Sequence, residues 1–353
     1  MTQSTLHLFI PGLLHRVPEW LASYGEVGRY PALEWLLSRG ALTPSRGWPS
    51  ETTLCRLFGI TEGTPAGALT RMASHPDDPL TGHWLCADPV HLEAGIDDLV
   101  LTDASRLSLS VDEAQALVGQ VNEHFTHRPW TLEASTADHW HMHLSEATDP
   151  GLQTTPLSAA VGQRISQLLP RKSPRADVWL QDLNELQMLL FPASVNQERE
   201  GRGLKPVNSL WIWGEAPLPT APAQPPLAAA FGQGPLLEGL CRWARVPCQA
   251  LPENAQVLLD TREDVRSGGD ALVVLDDVWA QAAYDDLPAW QTGVEALERR
   301  WFEPLLKAMQ RGRVRRLHLH AGDGQVAILG PGGRWRFWRG SRSLGDLLGG
   351  EAP

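Results

Sequence analysis

A chain of 353 residues with 42% apolar and 20% charged content is long enough for more than one hydrophobic core and too apolar for wholesale disorder. Its formal net charge of -11 excludes a generic nucleic-acid or acidic-membrane binder, because such binding rests on basic surface. Four cysteines without a Cys-x-x-Cys pair, and no long unbroken apolar run, point to a soluble cytoplasmic protein with reduced thiols and no membrane contact.

In chain order, Leu6 to Ile10 followed by Pro11 and Gly12 predicts a buried strand ending in a tight turn. Pro31 to Arg39 predicts a helix, with its proline in the first turn and Gly40 at the end. Gly47 to Gly59 reads as a loop that becomes a helix with hydroxyls at its start. Between Leu80 and Glu146 the pattern becomes a compact α+β block. Strands are expected at Trp84 to Ala87, Leu99 to Thr102, Trp130 to Glu133 and His139 to Leu144. Ser110 and Glu113 spell a capping box that opens a helix running to about His127.

Helical periodicity returns at Ala159 to Leu169 and at Val178 to Phe191, and Leu210 to Trp213 reads as a strand before a proline-rich linker from Pro217 to Pro226. The remainder reads as a strand (Ala228 to Phe231), a helix (Pro235 to Arg245), a strand (Val257 to Asp260) and a buried strand (Ala271 to Asp277). A long helix from about Trp290 to Gln310 precedes closing strands at Arg316 to His320, Val326 to Leu329 and Trp335 to Trp338. Alternating helices and apolar strands imply an α/β fold, a mostly parallel sheet with helices on both faces. The expected domains are a main α/β domain from 1–79 and 151–353, with the α+β block inserted at 80–150.

Five groups of residues carry candidate chemistry. Ser50, Thr52 and Thr53 open a helix, where a hydroxyl acts as a nucleophile beside bound phosphate or simply caps free backbone N–H groups. His139, His141 and His143 alternate along a strand and so share a face, as two metal ligands do, or as half-exposed strand histidines do. His318 and His320 repeat that spacing. Asp88, His91, Glu93, Asp97 and Asp98 offer metal ligands or an acid–base pair, or form a polar loop. Asp276 and Asp277 end a buried strand, where open α/β sheets place functional groups.

Two broader features are candidate contact surfaces. The run from Asp182 to Gly214 interleaves apolar residues with Asn184, Glu185, Gln187, Asn196, Arg199 and Asn208. Ten arginines, Arg299, Arg300, Arg311, Arg313, Arg315, Arg316, Arg334, Arg336, Arg339 and Arg342, make the C-terminal third locally basic, as a solvated surface or a dock for an acidic partner.

The apolar strand, the helix Tyr30 to Ala41 and the segment Pro49 to Gly59 together resemble the start of the alkaline phosphatase superfamily, which includes the cofactor-independent phosphoglycerate mutases. The middle run, with Asn184, Glu185, Gln187, Asn196, Arg199 and Val207 to Trp211, is similar to bacterial RpfE-type regulatory proteins, which are phosphoglycerate mutase-like. The first resemblance implies a nucleophilic hydroxyl, best matched by Ser50, and a two-metal site. It also implies an aspartate near Pro11 and Gly12, where none stands, and an Asp-His pair where this chain has Asp323 alone. With those ligands missing, the chain is expected to be a pseudoenzyme with no cofactor, and the second resemblance implies a regulatory or scaffolding role with a protein partner, a single-strand DNA exonuclease being the candidate. The alternatives are a phosphohydrolase or phosphomutase with a rebuilt manganese or zinc site from Asp88, His91, His139, His141 and His143, and a phosphate-ester sensor without metals.

Overall fold

Alternation of leucine with histidine in Leu6-His7-Leu8 gives one sheet face to the core and leaves polar rings on the other, and this run forms β1 (Thr5–Phe9). The structure, a computed structural model, describes residues 4–95, 98–145, 151–169, 175–261, 269–331 and 340–348. After β1 come α1 (Val17–Tyr24), α2 (Pro31–Arg39), the short β2 (Ala41–Leu42) and α3 (Ser50–Leu57). Proline occupies the first turn of α2 as expected, and a side chain from far along the sequence finishes the job: the buried Glu298 carboxylate accepts from Ala32 N (2.5 Å) and Leu33 N (3.1 Å).

The chain then leaves for a second compact unit, Ile60–Thr220. It contains α4 (Ala66–Ser74), the long β3 (His83–Ala94), β4 (Leu99–Thr102), α5 (Val111–His124), β5 (Trp130–Ala134), β6 (Trp140–Leu144), α6 (Ala176–Leu190), α7 (Ser194–Gly201) and β7 (Ser209–Trp213). Its five strands pair antiparallel: β3 takes β6 along its first half, β4 along its second and β7 through its middle. The capping box is complete, with Ser110 Oγ accepting from Glu113 N and Glu113 Oε2 accepting from Ser110 N. Trp130, Trp140, Leu117, Val121 and Leu210 lie in the core of this unit.

The first unit, Met1–Gly59 with Ala221–Pro353, resumes at β8 (Ala229–Phe231). There follow α8 (Pro235–Ala244), β9 (Cys248–Gln249), α9 (Ala255–Thr261), β10 (Ala271–Val274), α10 (Trp279–Ala283), α11 (Leu287–Leu297), α12 (Glu303–Gln310), β11 (Arg316–His320), β12 (Val326–Leu329) and α13 (Leu344–Leu348). The seven-stranded sheet has the order β2-β12-β11-β1-β10-β8-β9. Its central strands are parallel, and β12 and β2 run antiparallel at one edge. Leu6, Leu8, Val273, Leu317 and Leu319 line one face within a core shared with Trp20, Trp290 and Trp301. The fold is the expected α/β class, a mostly parallel sheet with helices on both faces.

Several elements differ from the sequence reading. The second unit is wider than the block at 80–150, because α4 packs on β3 and β7 joins β3 as a strand of the same sheet. In place of a helix at Ala159 to Leu169 stand a short turn at Leu157–Ala159 and bridges from Val161 and Arg164 to the β4 edge, so sheet contacts satisfy this backbone. Val257 to Asp260 is helical, not a strand, because the Asn254 side chain accepts from Val257 N (2.9 Å) and starts α9. The long helix expected from Trp290 is broken by a π-turn at Glu298–Phe302, which carries the Glu298 carboxylate to α2. The strand expected at Trp335 to Trp338, with Arg334, Arg336, Arg339 and Asp97, lies outside the described residues. No helix among the described residues is long and apolar enough to cross a membrane.

Candidate functional site

In an open parallel sheet, loops at the carboxyl ends of the strands gather functional groups. Here those ends bring together Pro11 and Gly12 after β1, Asp276 and Asp277 after β10, and Ala321 to Gly324 after β11. Ser50 begins α3 beside them, but Pro49 and not Ser50 holds the capping position, so no side-chain cap closes this helix. Gly322 has φ near +90°, and a Cβ there would lie 2.7 Å from Pro11 Cα and 3.0 Å from Ser50 Oγ. Only glycine fits, because a side chain there would run into Pro11 and the Ser50 hydroxyl. Thr53 Oγ1 donates to Gly322 O (3.2 Å), which holds the loop against α3. Thr52 is half-buried on the same helix.

Asp323 and Asp277 serve local structure at these strand ends, while burial raises the pKa of Asp276. Asp323 Oδ1 accepts from Gln325 N (2.8 Å), and its carbonyl accepts from Arg46 N and Trp48 N (both 3.1 Å). Asp277 lies 3.8 Å from the Arg300 guanidinium. Trp48 is flanked by guanidinium groups, Arg46 at 5.1 Å and Arg56 at 4.1 Å from the ring centroid. A two-metal phosphoryl-transfer centre needs carboxylate and histidine ligands converging on two ions about 4 Å apart. Among the described residues, the strand-end aspartates are not part of any group of three convergent ligand atoms. The residues present do not fit that centre.

The histidine row on β6 belongs to the second unit, whereas Ser50 belongs to the first. His141 is buried, with Nε2 2.8 Å from Thr70 Oγ1 and Nδ1 2.8 Å from Ser135 Oγ. Burial, reinforced by the Arg71 charge, pushes its pKa down to about 3. His143 faces Thr81 O at 3.1 Å and lies against the Trp84 ring. His139 Nδ1 is 3.5 Å from the buried Asp88, which also accepts from Trp213 Nε1 (2.6 Å). His91 Nδ1 is 2.9 Å from Pro206 O. Each of these candidates is thus engaged with its own neighbours, and no three of them converge on one point among the described residues.

The polar run is engaged in the same way. Arg199 is fully buried, pairs with Glu113 (2.8 Å) and donates to the carbonyls of Leu107 and Lys205. Asn196 donates to Leu190 O and Val207 O and accepts from Val207 N. Asn208 forms a two-way pair with the Leu92 backbone, and Gln187 reaches Ser209 at 3.4 Å. Glu185 pairs with His124 (2.7 Å), and Asn184 is exposed.

A constellation that the sequence reading did not assemble lies on the main sheet. His7 on β1 is in register with His318 on the adjacent β11, and His320 follows two residues later on the same face. One ring nitrogen from each lies within 4.8 Å of those of the other two, and His7 Nδ1 is 3.0 Å from His320 Nε2. Burial, with the neighbouring rings, pushes His7 down to about 4 and His320 to about 3, and burial also lowers His318. Histidine flanked by leucine in both Leu6-His7-Leu8 and Leu317-His318-Leu319 was the available signal, once both strands were assigned as parallel neighbours.

No protein-family model matches the chain. Over 68 residues it is 37% identical to the 2,3-bisphosphoglycerate-independent phosphoglycerate mutase of Methanothrix thermoacetophila, a stretch that covers 19% of this chain and 17% of that protein. Among solved structures, the PH0037 protein from Pyrococcus horikoshii is similar with a TM-score of 0.53 and 15% identity, over 94% of this chain and 88% of that one. The cofactor-independent phosphoglycerate mutase from Thermoplasma acidophilum DSM 1728 matches at a TM-score of 0.44 and 19% identity, over 93% of this chain and 89% of that one. At these identities the structural likeness speaks for the fold alone.

Proposed function

We propose that this chain is a binding protein, regulatory or scaffolding, built on an alkaline-phosphatase-like fold, in the role that the RpfE-type resemblance implies. The observation that carries this is the donor set at the strand ends: Asp323 accepts from Gln325 N, Asp277 lies 3.8 Å from the Arg300 guanidinium, and no three ligand atoms converge there among the described residues. The short likeness to a phosphoglycerate mutase supports descent of part of the chain from such an enzyme. Val178 (44% exposed), Met188 (77%) and Phe191 (80%) along and just beyond α6, in and near the polar run, supply apolar surface for a protein partner. A single-strand DNA exonuclease is the candidate, tested by co-elution of the two purified proteins.

The decisive assay measures phosphomonoester hydrolysis and phosphoglycerate mutation with added manganese or zinc, for the natural chain and Ser50→Ala. The expected result is equal background in both, and turnover lost in Ser50→Ala would overturn the proposal. A phosphate-ester sensor is the second reading. It is favoured by the guanidinium groups of Arg46 and Arg56 around Trp48, two residues ahead of α3.

A further inference from the structure

We infer that His7, His318 and His320 form a binding site for a single zinc-type divalent cation on one face of the main sheet, built by imidazoles of β1 and β11 and not by the strand-end aspartates. Strand register builds the site. His7 and His318 are cross-strand partners on β1 and β11, and His320 is one pleat further along, so all three imidazoles leave the same face. Imidazole nitrogens bound to one tetrahedral zinc sit at about 2.0–2.1 Å from the metal, hence roughly 3.3–3.5 Å apart. The observed 3.0 Å between His7 Nδ1 and His320 Nε2, with all three ligand atoms inside 4.8 Å, is within side-chain rotation of that geometry.

A carboxylate stands behind the first ligand. His7 Nε2 is 3.8 Å from Asp270 Oδ2, while His7 Nδ1 faces His320. A proton on Nε2 held toward Asp270 leaves the Nδ1 lone pair for a metal, the arrangement by which outer carboxylates orient metal-bound histidines. Asp270 is itself anchored by Thr5 N, which donates to its Oδ1 at 2.7 Å. With that tautomer His320 Nε2–H donates to His7 Nδ1 in the metal-free protein, and a cation binds His320 Nε2 once that proton has moved to His320 Nδ1.

Access and selectivity follow from the surroundings. His7 and His318 are half-buried, and Ile328, the β12 partner of His318, is 41% exposed, so solvent reaches the site and supplies a fourth ligand. Three neutral nitrogen donors suit zinc, nickel, cobalt or copper and not magnesium or calcium, which take oxygen ligands. The inference does not depend on whether the protein turns over phosphate esters.

The test is zinc titration of the full chain, with elemental analysis after dialysis and cobalt(II) absorption as a second readout. The natural chain is expected to retain about one zinc, to give the visible absorption of four-coordinate cobalt and to be unaffected by excess magnesium. The half-buried His318 is the position to replace first, and His318→Ala, checked for folding by circular dichroism, is expected to weaken binding at least ~10-fold. Asp270→Asn is expected to weaken it by ~10-fold or more while leaving the ligands in place. His143→Ala and Asp323→Asn are expected to leave uptake unchanged. Absence of saturable zinc uptake by the folded natural chain, or uptake that survives both His318→Ala and Asp270→Asn, would overturn the site. Zinc lost only in Asp323→Asn would overturn it as well, in favour of the strand ends.

Discussion

Two histidine rows with the same sequence spacing meet different fates in this molecule. On β6, His141 and His143, with His139 just before the strand, share a face, and nearby groups engage each ring: Thr70 and Ser135, Thr81, and Asp88. On β11, His318 and His320 share a face, and the neighbouring strand supplies a third imidazole where β6 meets hydroxyls and carbonyls. Spacing along a strand fixes only which side chains are parallel. Whether they become a site is decided by the adjacent strand, and at β11 that strand is separated from its partner by 313 residues from His7 to His320.

The contrast extends to other polar side chains of the second unit, such as Arg199 and Asn196, which are satisfied inward, and substitutions there test it. Arg199→Ala is the most damaging expected change, because it leaves Glu113 and the Leu107 and Lys205 carbonyls without their buried donor. A loss of about 3–5 kcal/mol is expected in urea denaturation, and a loss below ~1 kcal/mol would mean that the arginine faces outward to a ligand. Acid sensitivity comes next. The folded pKa of His141 lies near 3, below its ordinary 6.5, so the unfolded chain takes up that proton first as pH falls. Its stabilising effect is therefore complete above pH 6.5 and declines toward pH 3, at up to ~1.4 kcal/mol per pH unit. His141→Gln is expected to flatten the slope of unfolding free energy against pH below 6, and an unchanged slope would show that the ring is not buried neutral.

Asn196→Ala is expected to cost about 2 kcal/mol, since it strips partners from the Val207 N–H and from two buried carbonyls. Ser110→Ala removes half of the capping box on α5 and is expected to cost about 1 kcal/mol by the same denaturation measurement. A Ser110 effect as large as that of Arg199 would contradict the ranking of buried over exposed contacts.

Much of the fold was legible because its signals are local. Leucine alternation gave β1, proline at the first turn gave α2, and the Ser110–Glu113 pair gave α5. The segment at Ala159 to Leu169 was misread because the apolar spacing that suggests a helix also suits a chain lying along the β4 edge. The start of α9 was missed because its capping signal is one side chain, Asn254, ahead of a run that also reads as a strand. The polarity of Asn196 and Arg199 marked them as special without saying whether their partners were a ligand or the backbone, and the structure gives both of them backbone partners. His7 was invisible as a candidate because its significance depends on the β1–β11 register, which no local window contains.

The separation of the histidine site from the strand-end loops is tested most directly by crystals grown with zinc and measured at the zinc absorption edge. The expected result is one anomalous peak among His7 Nδ1, His318 and His320 Nε2, with none at the strand ends. Peaks beside Ser50, Asp276 and Asp323, with the histidines unoccupied, would contradict it and favour a metal site at the strand ends.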